Sequence, residues 1–450
     1  MLNYTTGTIK TYAKLIALGI VTLLSYVAKG QDTLATSTPA QRVNLHFQAT
    51  YIYQYKPKFE AKYSGPNSLK ATEEKENSLT ATLYLGVRLW KGAEVYINPE
   101  LAGGSGLSGA FGLGASTNGE TFRVGDPAPT LYLARGYFKQ TIALGDRLLS
   151  IDDQQNQLET KESNTYLRFL LGKLSLGDVF DNNAYANSPR TQFMNWCLMN
   201  NGAYDYAANV RGYTYAFVTI LQDHKMTYKA ALATLPVVAN GGELNTNLGE
   251  EYSVNAEIDR AYQLHSHPGN IRLLAYRNSG HMGNYAQALQ YITLVPDVTL
   301  NRQYGRTKTG IGISADQQIS NMAGVFLRAG YNDGQNETWV FTEADRSVSA
   351  GIVFSGTAWK RKDDVLGIAL DVNGLSKNHH DYLAAGGMGF QLGDGTLGYA
   401  NETAFELNYN CRLISKNIWL SGDYQFILNP GYNIDRGPVS VFSVRLHAEL

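Results

Sequence analysis

Hydrophobic and polar residues alternate along the last ten positions of the chain. Apolar side chains occupy one face of this segment, at Phe442, Val444, Leu446, Ala448 and Leu450. Polar side chains occupy the other face, at Ser443, Arg445, His447 and Glu449. Because successive side chains of a strand point to opposite sides, one face meets lipid or a core and the other meets water. The pattern recurs along the chain and predicts a closed transmembrane β-barrel with a polar lumen.

Sixteen segments carry this pattern and form the predicted strands. They lie at 43–54, 79–90, 93–101, 131–143, 165–176, 204–220, 225–235, 251–262, 270–278, 304–315, 321–332, 346–356, 364–373, 401–413, 417–428 and 438–450. Segments 131–143, 165–176 and 270–278 alternate poorly, so fourteen or eighteen strands also fit. The predicted fold is an all-β antiparallel barrel, and about sixteen strands are enough to enclose a water-filled lumen.

The lengths of the connections differ systematically between the two ends of the predicted barrel. Short connections follow most even-numbered strands, as at Lys91-Gly92, and long ones follow odd-numbered strands, as at 56–78, 102–130 and 177–203. Outer-membrane barrels have short periplasmic turns and long extracellular loops. The exception is the polar stretch 144–164, which lies on the short-turn side.

The N-terminus predicts export from the cytoplasm. Lys10 and Lys14 precede an apolar run at 15–27, and Ala28-Lys29-Gly30 offers small residues for cleavage before Gln31. This pattern is typical of a secretory signal peptide. We therefore predict a signal peptide at 1–30, a periplasmic segment at 31–41 and a barrel at 42–450, located in the bacterial outer membrane.

Composition and charge exclude several classes of function. The chain has a net charge of −1, 17% charged residues, 45 Gly and 30 Tyr. The near-zero charge argues against nucleic acid as a partner, whereas abundant Tyr is typical of the membrane interfaces of barrels.

Neither His265 with His267 nor His379 with His380 has a Cys or a helical His partner, so we expect solvated histidines, no metal and no cofactor. Two cysteines, Cys197 and Cys411, are too few for a disulfide framework, and Cys411 is expected to face lipid.

Charged residues of both signs fall on the lumen-facing register. The basic members are Arg42, Arg88, Arg211, Lys308, Arg328, Arg412 and Arg445. The acidic members are Glu94, Glu100, Glu251, Glu257, Glu402, Glu406 and Asp423. A mixed lining favours neutral, hydroxyl-rich solutes, which bond to carboxylate acceptors and guanidinium donors alike.

One long loop is the best candidate for narrowing so wide a pore. The loop Gly177–Asn201 combines planar polar groups with the aromatic residues Phe180, Tyr185, Phe193 and Trp196. Aromatic faces can stack on sugar rings while amides and charges bond to the hydroxyls. The alternative is that Phe193 and Trp196 only anchor the loop in the wall. The glycine-rich stretch Gly103–Gly119 lacks the Lys-Ser/Thr pair of a phosphate-binding loop and is interpreted as an external loop.

Several stretches together resemble the carbohydrate-selective outer-membrane porins of the OprB type. They are Tyr63–Leu69, Tyr96–Glu100, Phe180–Asn183, Pro189–Trp196, Gly202–Ala207 and Asn429–Val439. The resemblance spans nearly the whole predicted mature chain. It implies a sixteen-stranded barrel through which monosaccharides, and short oligosaccharides, diffuse past an eyelet of arginine, acidic and aromatic side chains.

The resemblance also implies residues of that eyelet. Those expected in the inward-folding loop are Asp181, Arg190 and Trp196, and those expected to face them from the wall are Arg88, Glu94, Glu100 and Arg123. One departure is the terminal Leu450, because outer-membrane barrels usually end in Phe or Trp as part of the signal read by the assembly machinery.

The sequence therefore predicts a passive, sugar-preferring porin rather than an enzyme. Expected partners are small neutral sugars, outer-membrane lipid and the barrel assembly machinery, with the channel a monomer or a homotrimer. The alternatives are a non-specific general porin, a barrel enzyme and a non-conducting surface scaffold. A barrel enzyme would need a Ser-His-Asp set on outward-facing strand ends, which the registers do not provide.

Overall fold

Sixteen antiparallel strands close into one barrel in the computed structural model of the chain. The structure describes residues 41–121, 128–291, 295–413 and 417–450. The predicted signal peptide 1–30 and almost all of the predicted segment 31–41 lie outside the described residues.

Twenty strands lie in the described residues, and the sixteen that form the barrel match the predicted sixteen in order, with adjusted ends. In chain order they are β1 (Val43–Lys56), β2 (Glu74–Trp90), β3 (Ala93–Gly104), β4 (Thr130–Ala143), β5 (Leu148–Ile151), β6 (Thr160–Ser163), β7 (Thr165–Leu174), β8 (Thr214–Asp223), β9 (Met226–Ala233), β10 (Leu235–Pro236), β11 (Leu244–Asn245), β12 (Tyr252–Leu264), β13 (His267–Met282), β14 (Gln303–Ser320), β15 (Ala323–Asn332), β16 (Arg346–Ser355), β17 (Val365–Gly374), β18 (Glu402–Arg412), β19 (Ile418–Leu428) and β20 (Val439–Glu449). Two pairs, β5 with β6 and β10 with β11, form separate two-stranded sheets, and the other sixteen form the barrel.

The first and last strands close the barrel. β1 pairs antiparallel with β20 from Gln48 opposite Glu449 to Tyr55 opposite Phe442. The alternation predicted for the C-terminus is confirmed, because Val444 and Leu446 are exposed on the outer face while Arg445 is fully buried on the inner face. Closure pairs the first strand of the barrel with the last, which a bilayer requires because lipid offers no hydrogen-bonding partner for the backbone.

The helices are short and lie in the connections. They comprise α-helices at Trp196–Met199, Tyr285–Ala288 and Lys377–Ala384, and 3₁₀ turns at Leu107–Ala110, Leu176–Asp178, Val298–Asn301, Gly356–Trp359 and Pro430–Tyr432. Within the ranges that the structure describes, none of the helices is long and apolar enough to cross a bilayer.

One predicted strand begins too early. The pattern of alternating apolar residues places a strand at 204–220, but β8 begins only at Thr214. Tyr204, Tyr206 and Tyr213 are buried inside the barrel instead, at exposures of 5% each. The two-residue spacing of Tyr204 and Tyr206 imitates a strand, because residues packed in an irregular loop against a wall can also be apolar at every second position.

The lumen is also less open than the polar residues on the inner face of the predicted strands indicate. An apolar cluster that includes Trp196, Tyr206 and Trp339 fills part of the space inside the wall. A second cluster joins Leu107 and Leu113 of the glycine-rich stretch to Val441 of β20. The interpretation of Gly103–Gly119 as an external loop is therefore wrong, since this stretch folds back into the barrel.

The cysteines of the chain are unbridged. Cys197 is buried, Cys411 is partly buried, and neither forms a disulfide. In β18, Cys411 follows the register of the exposed Leu407, whereas Asn408 and Asn410 between them are buried inside. The prediction that Cys411 lies on the lipid-facing side is thus confirmed by the alternation.

Candidate functional site: the constriction inside the barrel

The connection between β7 and β8, residues 175–213, crosses the lumen and narrows it. Asp181 of this connection accepts a hydrogen bond from Arg328 Nε of β15 at 3.0 Å, and the Asp181 backbone N–H donates to Glu257 of β12 at 2.7 Å. Asn183 Nδ2 donates to Ser314 Oγ of β14 at 3.2 Å. These contacts tie the connection to strands far apart in the sequence, so the prediction that this loop narrows the pore is confirmed in its geometry.

Charged groups of the opposite wall bind the backbone of the same connection. The Glu406 carboxylate accepts from the backbone N–H groups of Met194 and Asn195 at 2.6 and 2.8 Å. Arg445 Nη1 donates to the carbonyls of Pro189 and Gln192 at 2.6 and 2.7 Å. A loop in a lumen needs partners for its backbone polar groups, and the charged wall residues supply them.

The glycine-rich connection between β3 and β4 packs against this inward loop. Gly119 N–H donates to the Met194 carbonyl at 2.9 Å, and Trp196 N–H donates to the Ser116 carbonyl at 2.9 Å. Glu402 of β18 accepts from the backbone N–H of Gly114 at 3.0 Å. The constriction is therefore built from two loops that brace each other inside the wall.

Arg190 lies where these two loops meet the wall. Its Nε donates to Glu120 at 2.9 Å, its Nη2 to Glu100 at 3.0 Å and its Nη1 to Thr82 Oγ1 at 3.2 Å. The side chains of Arg190 and Glu100 are 15% and 2% exposed. Burial alone would lower the pKa of Arg190, but the carboxylates of Glu120 and Glu100 outweigh it and hold that pKa well above its ordinary value. The guanidinium thus stays charged at every physiological pH.

A second arginine lines the same space. Arg135 of β4 forms a bidentate pair with Asp178, with Nε and Nη2 donating at 2.6 and 2.7 Å. Its guanidinium lies 5.2 Å from the centre of the Tyr213 ring, and Tyr213 Oη donates to Glu100 at 3.1 Å. Bidentate pairing fixes the plane of the guanidinium, so its orientation toward the lumen is well defined.

These groups surround a cavity of about 270 Å³. Its charged lining is balanced, with the cations Arg135, Arg190 and Arg211 and the anions Glu100, Glu120 and Asp178. Trp196, Tyr84, Tyr206 and Tyr213 contribute aromatic surface. The cavity thus presents donors, acceptors and ring faces without net charge.

Four of the seven predicted site residues come together at this constriction. Arg190, Glu100 and Trp196 line the cavity. Asp181 lies in the same loop but is 2% exposed, and its carboxylate is occupied by Arg328 and by the Asn201 N–H. Asp181 therefore positions the loop rather than facing the solute path.

Two other predicted residues, Arg88 and Glu94, lie elsewhere. Arg88 and Glu94 flank the periplasmic turn between β2 and β3, where Arg88 Nη2 and Glu94 Oε1 are 3.2 Å apart and Lys139 lies 2.5 Å from Glu94. Neither residue lines the 270 Å³ cavity. The alternation correctly predicts that both side chains face the lumen, but it does not predict where along the pore they lie. A period of two residues shows on which face of the sheet a side chain lies and not its depth in the pore. Arg123 lies outside the described residues.

The aromatic residues of the inward loop divide between anchoring and lining. Phe193 is 2% exposed and packs on Phe326 of β15 at 5.6 Å between ring centres. Trp196 is 8% exposed, packs against the tilted ring of Phe341 at 4.5 Å and stacks on Tyr206 at 6.5 Å. The anchoring alternative therefore holds for Phe193, whereas Trp196 anchors the loop and also borders the cavity.

Sequence reasoning missed Arg135, Asp178 and Glu120. Arg135 lies in a segment that alternates poorly, and the pairing of β3 with β4 shifts register between Asn98 and Pro99. Asp178 and Glu120 lie in loops, where no periodic pattern indicates orientation. The balance of charge is a signal that could have found the two acidic residues. An arginine at position 135 beside Arg190 and Glu100 would need an acidic partner of its own.

The histidine pairs show no metal site. Within the described ranges, no three His, Cys, Asp or Glu side chains group as potential metal ligands. The expectation of solvated histidines is wrong for His379, which is fully buried, lies 2.9 Å from Asp345 through Nδ1 and stacks on Tyr285 at 4.4 Å. A buried acceptor for a ring nitrogen is enough to explain this histidine.

Comparisons with known proteins find one matching family and several similar solved structures. The family described as "Carbohydrate-selective porin, OprB family" matches residues 71–450. The high-pH structure of OprB from Pseudomonas putida superposes with a TM-score of 0.68 at 14% sequence identity, covering 91% of this chain and 94% of that chain. The outer-membrane channel DcaP of Acinetobacter baumannii gives a TM-score of 0.49 at 10% identity, covering 93% and 99%.

No curated protein matches the sequence. The family match covers far more than half of the chain, and the P. putida structure shows the same fold. The chain thus belongs to the OprB family of carbohydrate-selective porins and forms a sugar channel of the bacterial outer membrane.

Proposed function

We propose that neutral sugars cross this channel through the Arg190 cavity and bind there weakly, through hydroxyl groups, on their way to the periplasm. The observation that carries the proposal is the cluster of Arg190 with Glu100 and Glu120 at the junction of the two inward loops. Each guanidinium has five donors and each carboxylate several acceptor positions, so one sugar ring can use both at once. Monosaccharides are the expected substrates because the two inward loops narrow the lumen at this cavity.

The balanced lining supports selection for neutral solutes over ions. Three cations face three anions around the cavity. A passing anion or cation therefore meets as many like charges as opposite ones, whereas a sugar meets only hydrogen-bonding partners. Binding must also be weak enough for release, since passage is driven by the concentration gradient alone.

We infer that the protein acts as a channel without a chemical step. The family and fold are those of porins. The test is a planar bilayer containing the refolded mature chain, with ion current recorded while glucose, maltose and an amino acid are titrated. Concentration-dependent block by the sugars supports the proposal, and an open current that sugars leave unchanged would contradict it in favour of a general porin.

The N-terminal assignment is a separate proposal. We propose that residues 1–30 direct export and are then removed, because a charged start, an apolar run and small residues follow one another there. N-terminal sequencing of the protein from isolated outer membranes should begin at Gln31. A sequence that begins at Met1 would contradict the assignment.

A further inference from the structure

The periplasmic connection between β4 and β7 folds as a hairpin, which we call the periplasmic hairpin (residues 144–164). Its arms β5 and β6 pair from Leu148 opposite Ser163 to Ile151 opposite Thr160. At its tip, the backbones of Gln154 and Gln157 exchange two hydrogen bonds of 3.0 Å. This is the one polar stretch that departs from the rule of short periplasmic turns.

The tip of the periplasmic hairpin lies inside the barrel, against the lumen face of β1 and β3. Asn44 Nδ2 donates to the carbonyls of Gln154 and Gln157 at 2.9 and 3.2 Å. The amides of Asn98 and Asn156 exchange hydrogen bonds of 2.9 and 3.0 Å. Because Asn98 lies midway along β3, the hairpin reaches from the periplasmic rim to about half the height of the wall.

Arg88 and Glu94 belong to the base of this arrangement. Arg88 Nη2 donates to the Glu159 carbonyl at 3.1 Å, and the Leu158 N–H donates to Tyr96 Oη at 3.3 Å. Tyr96 Oη in turn donates to Glu94 at 2.7 Å. The hairpin is therefore held by charged and polar wall groups on both of its sides, in the same way as the extracellular inward loop.

The tip borders two consecutive cavities. Gln155 lines the 270 Å³ cavity of the constriction, where its Nε2 lies 3.3 Å from Gln48 Oε1. Asn156 and Gln157 line a second cavity of about 410 Å³, which shares Ser175 and Asp178 with the first. The hairpin thus faces the solute path both at the constriction and immediately beyond it.

Packing alone does not explain the composition of the tip. From Asp152 to Gln157 every side chain is polar, and Leu158, at 1% exposure, is the apolar side chain that the tip buries. A hairpin that served only to fill space would gain more from apolar side chains against the wall. Primary amides supply both donors and acceptors, which is what sugar hydroxyls require.

We propose that the periplasmic hairpin is a second sugar-contacting element, which receives neutral sugars as they leave the Arg190 cavity and narrows the exit of the pore. The inference rests on the proposed sugar passage through that cavity. Gln155 is the residue expected to touch the sugar at the constriction, and Asn156 and Gln157 are expected to contact it in the wider space below.

Two variants test the hairpin. In the first, an Asn-Gly dipeptide replaces residues Asp152–Glu159, because Ile151 and Thr160 are paired and a two-residue turn can join them. In the second, Gln155→Ala removes one amide and leaves the backbone unchanged. Ser150→Ala, an exposed position on the paired arm, is the matched control.

Single-channel recordings with glucose added to either side supply the measurement. The shortened hairpin should raise the ion conductance without sugar, and should speed the association of glucose from the periplasmic side more than from the extracellular side. Gln155→Ala should raise the half-blocking glucose concentration by about 2- to 10-fold, the effect of one neutral hydrogen bond. Ser150→Ala should match the unmodified channel.

Unchanged conductance and unchanged glucose kinetics in a folded shortened variant would overturn the inference. If that variant does not fold, an unchanged half-blocking concentration in Gln155→Ala overturns the role of the tip. A channel that glucose never blocks, even without substitutions, contradicts the proposed function instead. In that case the conductance of the shortened variant still decides whether the hairpin narrows the exit.

Discussion

Replacing Arg190 by alanine should weaken sugar binding and make the pore cation-selective. The side chain donates three hydrogen bonds, to Glu120, Glu100 and Thr82, at 2.9, 3.0 and 3.2 Å. A hydrogen bond between a sugar hydroxyl and a charged group contributes about 1.5–3 kcal/mol. Its loss corresponds to roughly a 10- to 100-fold higher half-blocking glucose concentration.

The same change disturbs the charge balance of the constriction. Three cations against three anions become two against three. The reversal potential in a KCl gradient should therefore move toward that of potassium. Because Glu100 and Glu120 are 2% and 8% exposed, the loss of their common partner should also destabilise the barrel by about 3–5 kcal/mol.

Three companion variants separate these effects. Arg190→Lys keeps the charge but loses the planar set of guanidinium donors. The reversal potential should therefore be unchanged, and the block of the current by glucose should weaken only in part. Arg190→Gln combined with Glu100→Gln restores the balance, so the selectivity should return while sugar affinity stays low. Arg346→Ala, at an exposed position on the extracellular end of β16, is the control for removing an arginine. A folded Arg190→Ala channel with the same glucose block as the unmodified channel would refute this reasoning.

Further outcomes follow from the anchors of the loops. Asp181→Ala leaves the buried Arg328 without its carboxylate partner. The single-channel conductance should therefore become larger and noisier, and heat-modifiability on gels should show a loss of folding stability of about 3–5 kcal/mol. Quiet channels of unchanged conductance would contradict the anchoring role. Trp196→Ala should weaken glucose block without closing the pore, and an unchanged block would remove Trp196 from the solute path. Burial alone would raise the pKa of Asp345, but Lys308 and a neighbouring histidine lower it well below its ordinary 3.8. A carboxylate whose pKa is depressed in the folded state stabilises the fold at pH values above its unfolded-state pKa. That stabilisation is lost as the pH falls through the folded-state pKa. Melting temperatures should therefore hold as the pH drops to about 4 and fall only in stronger acid, and Asp345→Asn should lower them at pH 7; equal melting curves for both proteins would exclude this contribution.

The wall of the barrel was predictable because its signal is local. Each strand repeats every two residues, so Phe442, Val444 and Leu446 reveal their face without knowledge of any partner. The same reasoning found the lumen-facing Glu100 and Arg445. It failed at 204–213, where Tyr204 and Tyr206 share that spacing although they are packed in an irregular loop.

The interior of the barrel depends on contacts between distant residues. Glu406 meets the backbone of Met194 across 212 positions of sequence, and Glu402 meets Gly114 across 288. No short pattern indicates that a wall carboxylate will bind a particular loop, so the inward folding of Gly103–Gly119 was missed. The family resemblance pointed to Arg190 and Trp196, but it did not give the depth of Arg88 and Glu94.

The closure of β1 on β20 constrains how the chain can fold. Phe47 and Leu450, which exchange backbone hydrogen bonds of 2.9 and 2.8 Å, join the first barrel strand to the last. Joining ends so far apart costs about 5 kcal/mol of chain entropy, and nothing local repays it beforehand. A partly formed sheet in lipid would expose a row of bare amides. Membrane insertion should therefore be a single late event that waits until β20 can pair with β1.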